Sequence, residues 1–380
     1  MQKLRIAIAS FGRFHLLDLA RELDALRHEV RFHSYVPSER AARFGLPSRC
    51  HAGYLPLVAP LLAWNKFAPR RSGDLYTKML FAACNRGTIA RLRPCDVFIG
   101  MSGGFVEAPL YARRRYGAKI ILERGSRHML SQREILAAAP GAYVPTDYEV
   151  ERELMGYELA DIISVPSRQV ADSFKRDPAV AAKLLVNPYG VDLDQFPQRL
   201  SNKPDGRVVL FVGNWIYRKG VDILTAAIEQ MPEVRLLHVG SLGDAPFPSH
   251  PRFTHHDPVP QWRLTEFHSK AHIFVMPSRE EGLALVQAQA LASGLPLVCT
   301  DRTGGADLAH SAALASRIRV VPNGDVSALK QAMTEMLDRA STSSSFGPLP
   351  EADRQTLSWR AYGERYSNHL ATLFGAQRGS

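Results

Sequence analysis

Charged residues and glycine stand at two turns of the chain where an apolar run is followed by a helical pattern. Arg218 and Lys219 occupy the first turn, and Glu281 and Gly282 occupy the second. Adjacent cations can neutralise a diphosphate, and arginine can do so with two hydrogen bonds. A carboxylate can bind hydroxyl groups, and the free amides of a helix N-terminus bind anions. These residue types predict a site for a phosphorylated sugar, although Arg218 and Lys219 alone are equally typical of an ordinary charged turn.

A strand–helix–strand unit must position the second turn. Residues 271–276 form an apolar run that predicts a buried strand, and residues 295–299 predict another. Between them, residues 284–293 contain strong helix formers, and Gly294 stands where a helix C-cap glycine belongs. Two strands joined through a helix imply a parallel sheet.

The same alternation appears at the start of the chain, where a strand at residues 4–9 precedes a helix at residues 14–26. Gly12 lies between them, at the carboxyl end of the strand, where open parallel sheets bind ligands. A single glycine is not a dinucleotide-binding fingerprint, so a nicotinamide-dependent dehydrogenase finds no support. His128 follows the predicted strand 119–123 and is expected to face the same cleft as Gly12. A lone histidine in this position is as typical of a structural role as of a catalytic one.

Length and composition limit the class of protein. A chain of 380 residues suggests two domains, and a net charge of +10 implies an anionic partner. The candidates are phosphorylated small molecules, an anionic membrane surface and nucleic acid, but no nucleic-acid-binding motif is present. The start of the chain lacks the pattern of a signal peptide, and the four scattered cysteines predict neither disulfides nor a zinc site. These features predict a cytoplasmic protein.

An apolar segment at residues 51–71 ends in the basic residues Lys66, Arg70 and Arg71. Such a segment can dock at a membrane interface. It is also typical of a core helix with a solvated end, and that interpretation is favoured slightly.

Taken together, these motifs resemble the family 4 glycosyltransferases, which have the GT-B fold, over nearly the whole chain. The family hallmark is E-G-x-G-L-x-x-x-E-A-x-A-x-G-x-P, and residues 281–296 read E-G-L-A-L-V-Q-A-Q-A-L-A-S-G-L-P. Residues 211–213 with 218–220 resemble the family's F-V-G…K-G diphosphate motif. Residues 187–192 resemble its N-x-x-G-V-D turn.

The resemblance implies an α/β protein with the GT-B fold, that is, two Rossmann-like domains with a deep interdomain cleft. Residues 1–197 would form the N-terminal acceptor-side domain and residues 206–357 the C-terminal donor domain. The polar stretch 197–206 would link them. Residues 358–380 would form a C-terminal helix that crosses back to the N-terminal domain.

The resemblance also assigns roles to individual residues. Lys219 with Arg218 would hold the donor diphosphate, Glu281 would bind hydroxyls of the donor sugar, and His128 would lie against that sugar; His128, Lys219 and Glu281 are the predicted catalytic residues. Gln289 would contact the nucleotide ribose. The full donor-binding set is Gly12, under the phosphates, with Arg218, Lys219, Glu281, Gly282, Leu283, Ala284, Leu285 and Gln289.

Three positions depart from the family pattern. Gln289 replaces the second acidic residue of the hallmark, so an amide rather than a carboxylate would contact the ribose. Asn214 stands where an arginine is common after F-V-G, and Arg218 can supply that charge. Ala284 replaces the second glycine, which slightly narrows the approach of a ligand to the backbone.

The implied function is that of a retaining glycosyltransferase of the hexosyltransferase type (EC 2.4), acting in polysaccharide or lipopolysaccharide synthesis. It would use a nucleotide-diphosphate sugar as donor and a glycan, lipid-linked or other acceptor, with no cofactor and no metal. Peripheral contact with the inner face of the membrane stays an alternative, and nucleic acid is not an expected partner. Two alternatives stay open: a GT-B sugar-nucleotide epimerase, and a non-catalytic sugar-nucleotide-binding protein in which Gln289 marks a lost activity.

Overall fold

Two parallel β-sheets organise the structure, a computed structural model that describes residues 3–67, 73–198, 205–341 and 346–375. The strands are β1 (Arg5–Ala9), β2 (Glu29–Ser34), β3 (His51–Gly53), β4 (Val97–Met101), β5 (Lys119–Glu123), β6 (Ile162–Val165), β7 (Leu184–Val186), β8 (Arg207–Val212), β9 (Val234–Val239), β10 (Phe253–His256), β11 (Ile273–Met276), β12 (Leu297–Thr300) and β13 (Ile318–Val321).

Helices connect most of the successive strands, and three more follow β13 in the part of the chain that the structure describes. They are α1 (Phe14–Ala25), α2 (Ser38–Arg43), α3 (Leu55–Phe67), α4 (Gly73–Ile89), α5 (Glu107–Tyr116), α6 (Met129–Ala138), α7 (Asp147–Leu159), α8 (Arg168–Ser173), α9 (Pro178–Ala181), α10 (Val221–Glu229), α11 (Thr265–His268), α12 (Leu285–Ala292), α13 (Ala312–Ala315), α14 (Val326–Ser341), α15 (Glu351–Gln355) and α16 (Trp359–Gly375).

The strand order of each sheet reverses once. The first sheet has the order β3-β2-β1-β4-β5-β6-β7, and the second has the order β10-β9-β8-β11-β12-β13. Open sheets of this kind bind ligands beyond the carboxyl ends of the strands, where the order reverses. The reversal lies between β1 and β4 in the first sheet and between β8 and β11 in the second. The predicted α/β class with two Rossmann-like units is therefore confirmed.

Burial explains why the central strands have continuous apolar sequences. All four residues of β11 are fully buried, as are those of β12 apart from a trace of exposure at Thr300. Helices cover both faces of such a sheet, so neither side of the strand can be polar. The predicted strand–helix–strand unit around Glu281 is present as β11, α12 and β12, with bounds that differ from the predicted ones by at most two residues.

The C-terminal helix α16 packs against the first half of the chain. It runs along α1, its Tyr366 hydroxyl donates to Glu123 Oε1 at 2.8 Å, and Ser367 pairs with His28 at 2.8 Å. Residues 376–380 of the predicted helix and residues 199–204 of the predicted linker lie outside the described residues. The exact domain limits stay predictions.

The apolar segment near residue 57 forms α3, which packs on α4. Val58 is buried, whereas Leu57 is 48% exposed, and Trp64 lies edge-on to Tyr76 of α4. Arg70 and Arg71 lie outside the described residues. Within the described chain, no helix combines the length and apolar character that crossing a membrane requires.

Candidate active site

Two neighbouring strands bring the predicted cations and the predicted carboxylate together. Arg218 and Lys219 lie in the turn after β8, and Glu281 lies in the turn after β11, which pairs with β8. Arg218 Nη1 is 3.0 Å from Glu281 Oε1, and Lys219 Nζ donates to the same oxygen. The strand-order reversal of the second sheet therefore carries two cations and one carboxylate in direct contact.

The Glu281 carboxylate is ionised at neutral pH. Burial alone would raise the pKa of this carboxyl, but the charges of Lys219 and Arg218 outweigh burial and hold the pKa below its ordinary value. The ion pairs also occupy both cations when no ligand is bound. A diphosphate that binds Arg218 and Lys219 would compete with Glu281 for these two cations. The Glu281 carboxylate would then be available to bind sugar hydroxyls.

Five successive backbone amides next to Glu281 have no acceptor. The N–H groups of residues 282–286 make no hydrogen bond within the described chain. The N-cap of α12, Ala284, supplies no side-chain cap. Unpaired amides at a helix N-terminus bind anions through their hydrogen bonds and through the helix dipole. Gly282, Leu283, Ala284 and Leu285, all predicted donor-binding residues, thus present free donors beside Lys219.

Gln289 is buried on α12, one turn after Leu285, the first residue of the helix. It is 5% exposed, and within the described chain its Oε1 atom has no hydrogen-bond partner. The neighbouring Gln287, in contrast, exchanges hydrogen bonds with Thr303. A buried acceptor without a partner is costly, so a ligand hydroxyl would satisfy it. This geometry fits the predicted ribose contact.

A cavity of about 580 Å³ separates the two halves of the molecule beside these groups. This volume lies in the range of small-molecule sites. Its first wall comes from the turn after β5, from α6 and from the segment that follows α6, and its second wall comes from the turns after β8, β9 and β11. Polar side chains on these walls are Ser126, Gln132, Tyr143, Arg218, Asp244, Glu280 and Glu281.

His128 departs from the expectation of a cleft-facing ring. It is 2% exposed and is the N-cap of α6, where its Nδ1 atom accepts from the amide of Leu130. Its ring packs against Tyr157 and Phe174, with centroid distances of 5.1 and 5.0 Å. Burial lowers the pKa of His128 to about 4. The histidine is therefore neutral and turned into the core, and its catalytic role stays a prediction.

Gly12 lies at the reversal point of the first sheet, just after β1, as predicted from its place in the chain. Its carbonyl accepts a hydrogen bond from the Ser10 hydroxyl at 2.9 Å. The cavity wall does not include Gly12. Its proposed place under the phosphates stays a prediction.

Sequence reasoning passed over several polar residues that connect the two halves at this site. Ser126 donates a hydrogen bond to Glu280, whose backbone oxygen accepts from Arg218 at 2.7 Å. Ser167 and Gln169, after β6, donate to backbone oxygens beside Glu281. Their position directly after a parallel strand was the only sequence signal that could have identified them.

Comparison with known proteins supports this architecture. Residues 206–339 match the family model described as glycosyl transferases group 1. D-inositol 3-phosphate glycosyltransferase of Xylanimonas cellulosilytica is 29% identical over 199 residues, which are 45% of this chain and 48% of that protein. The chain spans about half the length of the curated relatives that it matches.

Solved structures match over almost the whole chain. Sucrose-phosphate synthase of Thermosynechococcus elongatus has a TM-score of 0.68 and 19% identity, covering 99% of this chain and 100% of that one. Anabaena Alr3699/HepE in complex with UDP-glucose has a TM-score of 0.62 and 13% identity, covering 97% and 100%. The two sheets and these matches define a GT-B fold. Within that fold, residues 206–339 match the group 1 glycosyl transferase model.

Proposed function

We propose that this protein transfers a sugar from a nucleotide-diphosphate sugar to a hydroxyl of an acceptor, with retention of anomeric configuration. The observation that carries the proposal is the meeting of Lys219, Arg218, Glu281 and the unpaired amides of residues 282–286 at one strand-order reversal. In the reaction, the bond from the anomeric carbon to the β-phosphate oxygen breaks, and a bond to the acceptor oxygen forms. The acceptor proton leaves with the nucleoside diphosphate.

The chain's own groups supply charge stabilisation for this step. Lys219, Arg218 and the α12 amides would bind the diphosphate, on which negative charge grows as the bond breaks. Glu281 would then bind sugar hydroxyls. Of the structural neighbours, Anabaena Alr3699/HepE contains UDP-glucose, which makes uridine the first base to test.

Nucleotide binding can be tested through thermal stability and a substitution at Gln289. A ligand that binds only the folded state raises the melting temperature. We expect UDP, or another nucleoside diphosphate of a panel with GDP and ADP, to raise it for the wild type. Within the described residues, the Gln289 side chain has no hydrogen bond that Gln289→Leu would remove, so the melting temperature of this variant should stay equal or rise. Its affinity for that nucleotide should fall about tenfold.

The matched control is Gln230→Leu, which changes the same residue type on the surface at the end of α10. This variant should keep the wild-type response. An unchanged nucleotide affinity in Gln289→Leu would remove Gln289 from the site. A wild type that responds to no nucleotide would contradict the proposed function itself.

The acceptor is proposed to be a glycan or a lipid-linked glycan, reached by peripheral contact with an anionic membrane. Exposed apolar side chains on α3 and α4 support this, namely Leu57 at 48%, Leu75 at 59% and Met79 at 43% exposure. Lys66 and Lys78 lie on the same helices. A surface of this composition suits a membrane interface.

Vesicle flotation tests this surface. We expect the wild type to float with vesicles that contain anionic lipid. The double variant Leu57→Glu/Leu75→Glu should lower the bound fraction roughly tenfold, because it removes two leucine side chains that would be buried in the membrane interface. Leu242→Glu, at a 51% exposed leucine of the second half, is the control and should float normally. Equal flotation of all three proteins, or none by the wild type, would count against membrane contact.

A further inference from the structure

Two side chains of the first half hold backbone oxygens in the turn that carries Glu281. Ser167 Oγ donates to the carbonyl of Gly282 at 2.8 Å. Gln169 Nε2 donates to the carbonyl of Glu281 at 2.6 Å and to that of Gly282 at 3.1 Å. Three hydrogen bonds from one half therefore converge on two successive peptide groups of the other half.

The orientation of the Gln169 amide is determined by a second contact. Arg127 Nη1 donates to Gln169 Oε1 at 2.6 Å, so the amide nitrogen must face the two carbonyls. Ser167 is fully buried at the N-terminus of α8 and has no access to water. Contacts within the first half therefore hold the Ser167 and Gln169 side chains in place.

A planar trans peptide couples each held carbonyl to an amide on its opposite side. The N–H of Gly282 shares a peptide plane with the carbonyl of Glu281, and the N–H of Leu283 shares one with the carbonyl of Gly282. When the carbonyls point at Ser167 and Gln169, the two N–H groups must point away from them. These are the first two of the five amides that have no acceptor within the described chain.

We propose that Ser167 and Gln169 are positioning residues, which aim the Gly282 and Leu283 amides at the phosphates of the donor. This inference rests on the proposed function and adds to it a role for the first half in building the phosphate site. The site is then complete only when the two halves are in contact. Because coupling is reciprocal, a bound phosphate in turn favours the contact between the two halves.

The backbones of the two halves approach so closely at the Glu281 turn that glycine is required at two positions. A Cβ atom on Gly282 would lie 1.8 Å from the carbonyl oxygen of Gly125, across the gap between the halves. A Cβ atom on Gly304 would lie 2.5 Å from the Gly282 oxygen that Ser167 binds. The Gly282 carbonyl thus lies in a narrow space between Ser167 and Gly304, which restricts the direction in which it can point.

Gln169→Glu tests the inference because it preserves shape and the contact with Arg127 but replaces the amide donor with a carboxylate. Calorimetry would compare UDP, GDP and ADP with their nucleosides. We expect Gln169→Glu to weaken binding of the nucleoside diphosphate that the wild type prefers by roughly tenfold or more, and to leave binding of the free nucleoside unchanged. A general structural defect would weaken both ligands. The new carboxylate also repels an anionic ligand directly, so the neutral variant Ser167→Ala must show the same difference for the inference to hold.

Arg168→Ala is the matched control. Arg168 lies between the two positioning residues and also contacts the other half, with its Nε 3.6 Å from Asp307, but it does not touch the Glu281 turn. This variant should bind both ligands like the wild type. Ser167→Ala, which removes one of the three hydrogen bonds, should repeat the phosphate-specific loss on a smaller scale and serves if Gln169→Glu does not fold.

The outcomes separate the inference from the proposed function. Wild-type affinity for the diphosphate in Gln169→Glu and Ser167→Ala would overturn the positioning role while the donor site stands. Equal weakening of nucleoside and diphosphate would overturn it too. A wild type that binds none of the three diphosphates would remove the proposed function and the inference together.

Discussion

Replacing Lys219 by alanine is expected to lower kcat/KM for sugar transfer by roughly 10²–10³-fold, the usual effect of removing one preorganised donor from a developing negative charge. The Lys219 side chain is 14% exposed and contacts Glu281. Little water reaches it, so its charge acts on the diphosphate with weak screening. The measurement is steady-state transfer from the nucleotide sugar that the binding experiments identify.

Two further variants show whether charge or position matters at residue 219. Lys219→Arg keeps the charge with a different geometry and should recover part of the rate. Lys330→Ala removes a partly exposed lysine of α14 that contacts Gln230, and this variant should behave like the wild type. If Lys219→Ala retained more than about half of the wild-type kcat/KM, the diphosphate would have to be bound elsewhere.

The parts of the site that sequence could predict are local. Apolar runs and helix formers identify β8, β11 and α12, and each strand end carries its functional residue a few positions later. A parallel sheet then brings Arg218, Lys219 and Glu281 together, because strands that carry such turns have their carboxyl ends at one edge. The contact of Arg218 with Glu281 spans 63 positions of the chain but follows from this rule.

The rest depends on packing between distant segments. Ser167 is 115 positions from Gly282, and their contact exists only because the two halves approach within a hydrogen bond. No periodicity in either segment encodes that approach. For His128, the position after a strand could be read from the sequence, but the burial of its ring depends on packing against Tyr157 and Phe174.

Replacing Glu281 by glutamine is expected to affect sugar transfer and diphosphate binding differently. The amide keeps the shape of the carboxylate but loses its charge, so it releases Arg218 and Lys219. Nucleoside diphosphate alone should therefore bind as tightly as to the wild type or more tightly. Transfer should fall by roughly 10²-fold, because the neutral amide is a weaker acceptor for sugar hydroxyls. Calorimetry with the diphosphate and steady-state transfer measure the two effects.

Protonation should mimic this substitution, but only in acid. Lys219 and Arg218 hold the pKa of Glu281 below its ordinary value, which is about 4.3 for a free glutamate. A lowered pKa in the folded state stabilises the fold fully above that ordinary value, and this stabilisation is lost as the pH falls through the folded-state pKa. The melting temperatures of wild type and Glu281→Gln should thus differ by a constant amount from neutral pH down to about pH 5 and converge only below about pH 4.

The contrast between the two variants decides what Glu281 does. If Glu281 acted only as an ion-pair partner that keeps the two cations in place, Glu281→Gln would weaken diphosphate binding in the same way as Lys219→Ala. If Glu281 binds the sugar, Lys219→Ala should lower the affinity for the diphosphate, whereas Glu281→Gln should keep that affinity and lower the rate of transfer. Glu266→Gln, which breaks an exposed ion pair with Arg263, controls for the loss of one negative charge and should leave both quantities unchanged. If diphosphate affinity falls in Lys219→Ala but does not fall in Glu281→Gln, the cations are assigned to the phosphates and the carboxylate to the sugar.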